Sequence, residues 1–232
     1  MERIAQNILV GGSGFIGSEL ALELARRGES VVSISRNGGV VIPGVKNIIL
    51  DISEQRALEQ KFPYGETVYI LVGQNHSEFD AEAELEALRK LIAVLNVKRP
   101  KKVLYLSSVL VYGETDAPAG EETPCCPADQ YSQFKCSAEA LLRESLSPQI
   151  VLGILRLANV YGGKKNRGFI GLVMDRLAQE QSIELKVNGD GLQERDYMFI
   201  DDVVAALLSV KKHLVENDIV NIATGQSHTL LD

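Results

Sequence analysis

The sequence contains two tyrosine–lysine pairs with the spacing of a catalytic pair on a helix. Tyr131 and Lys135 are four residues apart in YSQFK, as are Tyr161 and Lys165 in YGGKK. Residues i and i+4 of a helix share a face, with Cβ atoms roughly 5–6 Å apart. Good helix formers surround the first pair, whereas two glycines directly after an apolar strand disfavour a helix in the second. We therefore interpret YSQFK as the candidate pair and YGGKK as a coincidence of spacing.

Tyr131 could act as a general acid or base on a substrate hydroxyl. Its ordinary pKa of about 10 is too high for the phenolate to be common at neutral pH. The ammonium of Lys135 and a second cation bound beside it would lower that pKa through favourable Coulomb interactions. The strand-like run LYLSS supplies Ser108 at the edge where a parallel sheet binds ligands, and we expect this serine to orient the substrate oxygen. The alternative is that the tyrosine and lysine are surface residues that merely share a helix.

Short apolar segments alternate with helical patterns through the first two thirds of the chain. Several of these segments are too uniformly apolar for a sheet with one wet face, which favours buried parallel strands. The alternation predicts a doubly wound α/β sheet. The predicted strands are NILVGG, SVVSIS, NIILD, TVYILVG, KKVLYLSS, IVLGILRL and, late in the chain, DIVNIATG. The predicted helices lie in GFIGSELALELARRG and near 53–61, 80–97, 128–145, 169–181 and 201–213.

The helix near 80–97 has an apolar stripe opposite a charged face. Such a stripe is more often part of the core or a dimer interface than a chemical site. Its members are Leu85, Leu88, Leu91, Ile92 and Leu95.

The pattern changes after Gly162, where the basic loop GGKKNRG begins. We expect a dinucleotide-binding domain over residues 1–160, rejoined by about 197–223. Residues 161–196 are expected to form part of a small substrate-binding lobe, with strand-like ends in IELKVNGDGLQERDYMF.

The overall charge bears on the possible partners. The net charge is −7, which argues against nonspecific binding to nucleic acid or to an anionic membrane, since both need a basic surface. Glycines interrupt the apolar run at the N-terminus, so neither a signal peptide nor a membrane span fits. We expect a cytoplasmic protein.

The three cysteines, Cys125, Cys126 and Cys136, include two adjacent ones. This arrangement suits neither a disulfide framework nor a CxxC metal site. The three histidines lie far from them in sequence and have no HxxxH spacing. We predict reduced thiols and no metal.

A glycine-rich loop, LVGGSGFIGS, joins the first predicted strand to the first helix. It matches GxGxxG from Gly12 and GxxGxxG from Gly11. Both patterns provide a tight turn, a backbone close enough to touch a pyrophosphate, and a helix N-terminus with free N–H groups. The loop predicts dinucleotide binding, and the alternative is a glycine-rich turn without a ligand.

The second strand ends in SISRNGG, where dinucleotide-binding proteins often have an acidic residue for the ribose 2′-hydroxyl. Here Ser35 and Arg36 occupy that place. Serine leaves room for a 2′-phosphate and arginine can bind it, so we prefer NADP to NAD. The alternative for the arginine is an exposed position in a loop. Asp51 and Ile52, after the third strand, are expected to meet the adenine.

Together these motifs resemble the extended short-chain dehydrogenase/reductases, the family of nucleotide-sugar epimerases and dehydratases. GGSGFIG, LDIS, YILVGQ, LSSVLVYG, YSQFK, LRLANVYGG, GDGLQERDYMFIDDVV and NIATG occur in family order over essentially the whole chain. The resemblance implies a Rossmann domain, a homodimer formed through the long helix and the Tyr131 helix, and the catalytic set Ser108, Tyr131 and Lys135. It implies an NAD(P) site formed by Gly11, Gly14, Phe15, Ile16 and Gly17 with Ser35, Arg36, Asp51, Ile52 and Lys135.

The resemblance further implies that Asn159 and Arg195 bind the pyrophosphate of a nucleotide-sugar substrate. A guanidinium fork suits a phosphate, and it would let an acidic protein hold an anionic ligand. The alternative for Arg195 is an ion pair with Glu194 or Asp196. Further candidates for the pocket walls are Asn75, His76 and the loop from Glu114 to Glu122.

The sequence departs from the family pattern in three places. Val109 and Leu110 replace the Asp-Glu pair of the sugar dehydratases, which disfavours dehydration. Phe134 replaces a serine that commonly precedes the lysine, which leaves the catalytic pair intact. The sequence ends at NIATGQSHTLLD, where relatives continue, so residues 224–232 are expected to begin a C-terminal extension. The pocket would then be open, completed by another subunit, or missing because the chain is a fragment.

The leading hypothesis is an NAD(P)-dependent nucleotide-sugar epimerase. Tyr131 would take a proton from a sugar hydroxyl, with C4 as the expected position, and the hydride would return to the other face. One alternative is an NADPH-dependent keto-sugar reductase. Another is a non-catalytic NAD(P)-binding sensor or scaffold.

Overall fold

Parallel strands form the central sheet of the protein. The computed structural model describes residues 4–39, 41–73, 79–115, 117–163, 165–166, 168–178 and 191–229. The strands are β1 (Ala5–Val10), β2 (Val31–Ser35), β3 (Val45–Ile49), β4 (Gly65–Ile70), β5 (Lys102–Ser108), β6 (Val151–Leu157), β7 (Asn159–Tyr161), β8 (Arg195–Phe199), β9 (Asp218–Ile222) and β10 (Ser227–His228). Seven of them form one sheet in the order β3-β2-β1-β4-β5-β6-β9, and each neighbouring pair is parallel.

Helices cover both faces of this sheet. They are α1 (Phe15–Arg26), α2 (Gln55–Lys61), α3 (Ala81–Lys98), α4 (Gln130–Ser145), α5 (Phe169–Ala178) and α6 (Ile200–His213), with a 3₁₀ turn over Val109–Tyr112. Alternate residues of β5 enter different cores: Val103 packs with residues of α3 and α4, whereas Leu104 packs with residues of α1 and α6. The predicted doubly wound α/β sheet is confirmed.

The apolar stripe of α3 belongs to the core. Leu88, Leu91, Ile92 and Leu95 are all buried, and Leu85 packs against the same cluster. A homodimer stays a prediction, and it would have to use other side chains than this stripe.

A smaller sheet follows the main one in the order β10-β8-β7. Strands β7 and β8 are parallel, while β10 is antiparallel to β8. The strand-like end of QERDYMF is therefore confirmed as β8. The strand-like start of that segment, IELKV, lies outside the described residues. The predicted division into domains stays a prediction.

Within the described ranges, none of the helices combines the length and the apolar composition that crossing a membrane requires.

Candidate cofactor and catalytic site

The glycine loop turns the chain sharply from β1 into α1. Gly11 has a φ of +89°, which favours glycine. A Cβ atom at position 17 would lie 2.5 Å from the Gly11 carbonyl oxygen, so only glycine lets the helix pack this closely on the loop. Gly14 is the N-cap of α1 and no side chain caps the helix. The first N–H groups of α1 are thus left for an anion such as a pyrophosphate.

A cavity of about 310 Å³ lies between this loop and the carboxyl ends of the central strands. It brings together the predicted catalytic set from β5 and α4, the predicted loop residues, and one of the two residues predicted to bind the substrate pyrophosphate. These lining residues are Ser108, Tyr131, Lys135, Gly11, Gly14, Phe15, Ile16, Gly17 and Asn159.

A second cavity of about 360 Å³ lies at the carboxyl ends of β2 and β3 and contains the residues predicted to meet the adenosine half of the cofactor. Both cavities are lined by Gly11, Gly14 and the 71–73 segment, so they adjoin across the glycine loop. The residues predicted for this end that line it are Ser35, Arg36, Asp51 and Ile52. A dinucleotide could therefore lie across the loop with one half in each cavity.

The start of α4 positions the tyrosine and the lysine. Asp129 and Ser132 form a capping box, in which the Ser132 N–H donates to the Asp129 carboxylate at 2.7 Å and the Asp129 N–H donates to the Ser132 hydroxyl at 3.1 Å. The helix then places Tyr131 and Lys135 on one face, with Lys135 Nζ 5.7 Å from the centre of the Tyr131 ring. The predicted helical pair is therefore confirmed.

Phe134 fills space beneath this pair. It is buried and packs edge-on against Phe79, with ring centres 5.2 Å apart. A Cβ atom at Gly73 would approach the Phe134 ring to 2.7 Å. The phenylalanine is accommodated without displacing the two polar residues.

Lys135 is almost completely buried, at 3% exposure. Its Nζ donates to the Leu106 carbonyl at 2.8 Å and to the Val72 carbonyl at 3.3 Å. Burial lowers the pKa of Lys135 to about 7, against the opposing attraction of Glu84 and Glu139. The side chain is therefore close to its midpoint of protonation at neutral pH.

The pKa of Tyr131 is shifted in the direction opposite to the prediction. Burial, and secondarily the Asp129 carboxylate, raises it to about 12. The predicted lowering concerned a site that also holds a second cation, the nicotinamide, so it stays a prediction.

A buried ion pair, which the sequence analysis missed, anchors α4 to the sheet. Arg156 on β6 lies 2.7 Å from Glu139, and their side chains are 4% and 2% exposed. The Ser107 hydroxyl on β5 also donates to Glu139, which lies one turn beyond Lys135. An arginine inside the apolar run LGILRL was the available signal, since a buried charge requires a partner.

Lys165 contacts the glycine loop, a contact that the sequence analysis missed. Its Nζ donates to the Ser13 carbonyl at 2.8 Å, which places a cation against the glycine loop. Tyr161 lies in β7, and Gly162 and Gly163 have φ values of +90° and +69°. The described residues of YGGKK, 161–163 and 165, are thus not helical, as predicted, but Lys165 does reach the glycine loop.

The two residues predicted to bind the substrate pyrophosphate have different surroundings. Asn159 lines the first cavity and donates to the Asp196 carbonyl at 3.3 Å. Arg195 is exposed, does not line that cavity, and donates to the Glu194 carbonyl at 2.7 Å. The Asp196 carboxylate accepts from the N–H and the hydroxyl of Thr224. These hydrogen bonds are to Thr224 and not to Arg195, as the alternative of an ion pair would have required.

The remaining residues predicted from the sequence are candidates for the pocket walls. Asn75 and His76 lie outside the described residues. The described residues of the 114–122 loop do not line this cavity, and Glu121 accepts from the Asn221 N–H at 2.8 Å. Within the described ranges, no three His, Cys, Asp or Glu side chains converge in a way that could hold a metal ion.

A parallel sheet of this order, with a glycine loop at the strand–helix turn beside its switch point, defines a Rossmann-type dinucleotide-binding protein. The chain belongs to the NAD dependent epimerase/dehydratase family, whose model matches residues 8–223. Its relatives and structural neighbours are enzymes.

Three similar proteins illustrate the activities of the relatives and structural neighbours. The chain is 25% identical to the UDP-N-acetyl-alpha-D-glucosaminuronate decarboxylase of Bacillus cytotoxicus, over 96% of this chain and 76% of the relative. The UDP-glucose 4-epimerase of Thermotoga maritima, solved with UDP-glucose, superposes with a TM-score of 0.85 at 27% identity, over 97% of this chain and 79% of that one. The UDP-glucose 4-epimerase of Thermus thermophilus, solved with NAD, gives 0.84 at 25% identity, with the same coverage.

Proposed function

We propose that the protein is an NAD(P)-dependent nucleotide-sugar 4-epimerase. The single observation that carries this is the convergence of Ser108, Tyr131 and Lys135 on one cavity with the glycine loop. Similarity to epimerases solved with UDP-glucose and with NAD supports the substrate class and the cofactor.

The residues that line the two cavities fit such a cofactor. The uncapped N-terminus of α1 would face the pyrophosphate, and Lys135 with Tyr131 would flank the nicotinamide end. When bound, the nicotinamide would supply hydride acceptance and return.

The chain's own residues would handle the proton. Ser108 would hold the C4 oxygen of the sugar, and Tyr131 would remove its proton and later give it back. Because the pKa of Tyr131 is about 12 in the protein alone, this role needs a cation near the phenolate. Protonated Lys135, one helical turn away, is the group that the fold provides for it.

Asn159 is the residue we propose for the first contact with the substrate diphosphate, since it borders the catalytic cavity. Arg195 would contribute only by reorienting from the Glu194 carbonyl. Dehydration is disfavoured, since the wall after Ser108 is formed by the apolar Leu110 and supplies no acid or base.

The test is direct. The purified protein is mixed with UDP-, GDP-, CDP- and dTDP-sugars without added cofactor, and epimers are separated by chromatography. We expect one nucleotide sugar to be converted to its C4 epimer with no net change in cofactor absorbance. Failure to isomerise any sugar, with or without added NAD or NADP, would refute the proposal.

An NADPH-dependent keto-sugar reductase is the second candidate, and the adenosine end of the site favours it. Ser35 and Arg36 line that cavity, and within the described residues Arg36 forms no ion pair. Its guanidinium is thus available for a 2′-phosphate. Stoichiometric NADPH oxidation with a keto sugar would identify a reductase. Arg36→Ala should then lower the affinity for NADPH about tenfold (~1.4 kcal/mol).

A further inference from the structure

Two cysteines meet beside α4, outside the cofactor cavities. Cys125 is exposed in the segment before α4, and Cys136 is partly buried on α4 itself. Their thiols are close enough to interact electrostatically, since Cys125 contributes to raising the pKa of Cys136. We propose that Cys125 and Cys136 are a thiol-modification site, which low-molecular-weight disulfides of the glutathione type convert into an intramolecular disulfide. This inference does not depend on the proposed function.

Arg156 holds the first thiol in place. Its Nη2 lies 3.3 Å from Cys125 Sγ and 2.7 Å from the Glu139 carboxylate. Glu139 is on α4, three residues after Cys136. The guanidinium therefore fixes the loop sulfur against the helix that carries the second thiol.

A shared backbone acceptor brings the same two segments together independently. The Val111 carbonyl accepts from the Cys126 N–H at 2.9 Å and from Cys136 Sγ at 3.9 Å. The loop backbone next to Cys125 and the sulfur of Cys136 thus converge on one oxygen. A bond between Cys125 and Cys126 would instead enclose the peptide bond between them, which resists leaving its planar trans form.

The Cys125 thiol is accessible to a reagent from solvent. Cys125 lines a cavity of about 530 Å³ together with Arg143 and Arg156. The exposed Arg143 guanidinium suits a carboxylate of a glutathione-type peptide, whereas Arg156 is already bonded to Glu139. Cys136 is less accessible, and burial, with a contribution from its neighbour Cys125, raises its pKa to about 12.

Because Cys125 is the more accessible thiol, it reacts first in a sequence of two thiol–disulfide exchanges. The Cys125 thiolate attacks one sulfur of the external disulfide, whose S–S bond breaks and releases one small thiol. The Cys136 thiolate then attacks Cys125 Sγ and expels the second small thiol. The two protein thiols lose two electrons and two protons, and the external disulfide is reduced to two thiols. The new bond joins the loop before α4 to the helix turn that carries Lys135.

The experiment incubates the native protein with oxidised glutathione, alkylates the remaining thiols under denaturing conditions and maps the peptides by mass spectrometry. We expect free thiols to fall from three to one, with Cys126 as the alkylated one. Survival of all three thiols, or a bond that maps to Cys126, would overturn the proposal.

Three variants separate the roles, after circular dichroism has shown that each one is folded. Cys136→Ser should keep a glutathione adduct on Cys125, because the second step is blocked. Cys125→Ser should form neither bond nor adduct at Cys136. The matched control Cys126→Ser should still form the disulfide. Loss of the bond in Cys126→Ser would contradict the assignment, and so would a disulfide that persists in Cys125→Ser.

Discussion

The two tyrosine–lysine segments have the same spacing and entirely different structures. Tyr131 and Lys135 lie on one face of α4 and line the same cavity. Tyr161 lies in a strand and packs edge-on against Phe199, with ring centres 5.5 Å apart. Lys165 turns away to the glycine loop. Identical spacing therefore gives a shared site in one segment and two unrelated contacts in the other.

The difference comes from local backbone chemistry. Asp129 provides a helix N-cap with a reciprocal bond from Ser132, so the residues that follow it are helical. Gly162 and Gly163 adopt positive φ angles that end any regular structure after β7. The residues between a spaced pair thus decide whether its spacing has geometric meaning.

The largest expected effect is on turnover in the first segment. Tyr131→Phe should lower kcat by about 10²- to 10⁴-fold, the usual contribution of a general acid–base group. Tyr161→Phe is the matched control and should leave kcat within about twofold, since only ring packing is involved. Epimer formation measures the loss, and cofactor binding by fluorescence titration should be retained in both variants. Equal losses in the two would remove the distinction between the segments.

The features that local patterns encode were predictable from the sequence. The order of apolar runs gave the parallel sheet, and the strand–glycine–helix context gave the loop at Gly11. The pKa of Tyr131 was not predictable, because it depends on burial by chain segments that are distant in sequence. The Glu139–Arg156 pair and the contact from Lys165 depend in the same way on which elements become neighbours.

The next largest effect is expected on stability, from the Glu139–Arg156 ion pair that anchors α4, the helix of the first segment. Glu139→Ala should lower the free energy of unfolding by about 3–5 kcal/mol, because it leaves the Arg156 guanidinium buried without its partner. Glu66→Ala, which removes an exposed ion pair with Lys101, should cost about 1 kcal/mol or less. Urea unfolding followed by circular dichroism compares the two. A cost for Glu139→Ala no larger than for Glu66→Ala would show that the buried pair does not anchor α4.

Lys135 should also link stability to pH. Burial lowers the pKa of Lys135 to about 7 in the folded protein, whereas an unfolded lysine stays protonated up to about pH 10. Between these values the unfolded chain binds more protons, so this lysine makes the free energy of unfolding rise with pH. The contribution approaches about 1 kcal/mol per pH unit.

Replacing Lys135 tests this link. Lys135→Met should flatten the rise in unfolding free energy between about pH 7 and 10, relative to the unmodified protein. The measurement is urea unfolding at several pH values, and an unchanged slope in Lys135→Met would show that Lys135 is protonated throughout this range.

The smallest expected effect is on cofactor affinity in the second segment. Lys165 places its charge against the Ser13 carbonyl in the glycine loop, so its removal should weaken dinucleotide binding by about three- to tenfold, or ~1 kcal/mol for a partly solvated charge pair. Lys212→Met on α6 is the control, since that side chain is exposed and on a different element. Dissociation constants at low and high salt check the result, because the loss should shrink as salt screens the charge. A salt-independent loss would mean that Lys165 acts by holding the loop rather than by attracting the phosphates, and equal affinities for the two variants would leave Lys165 with no part in the site.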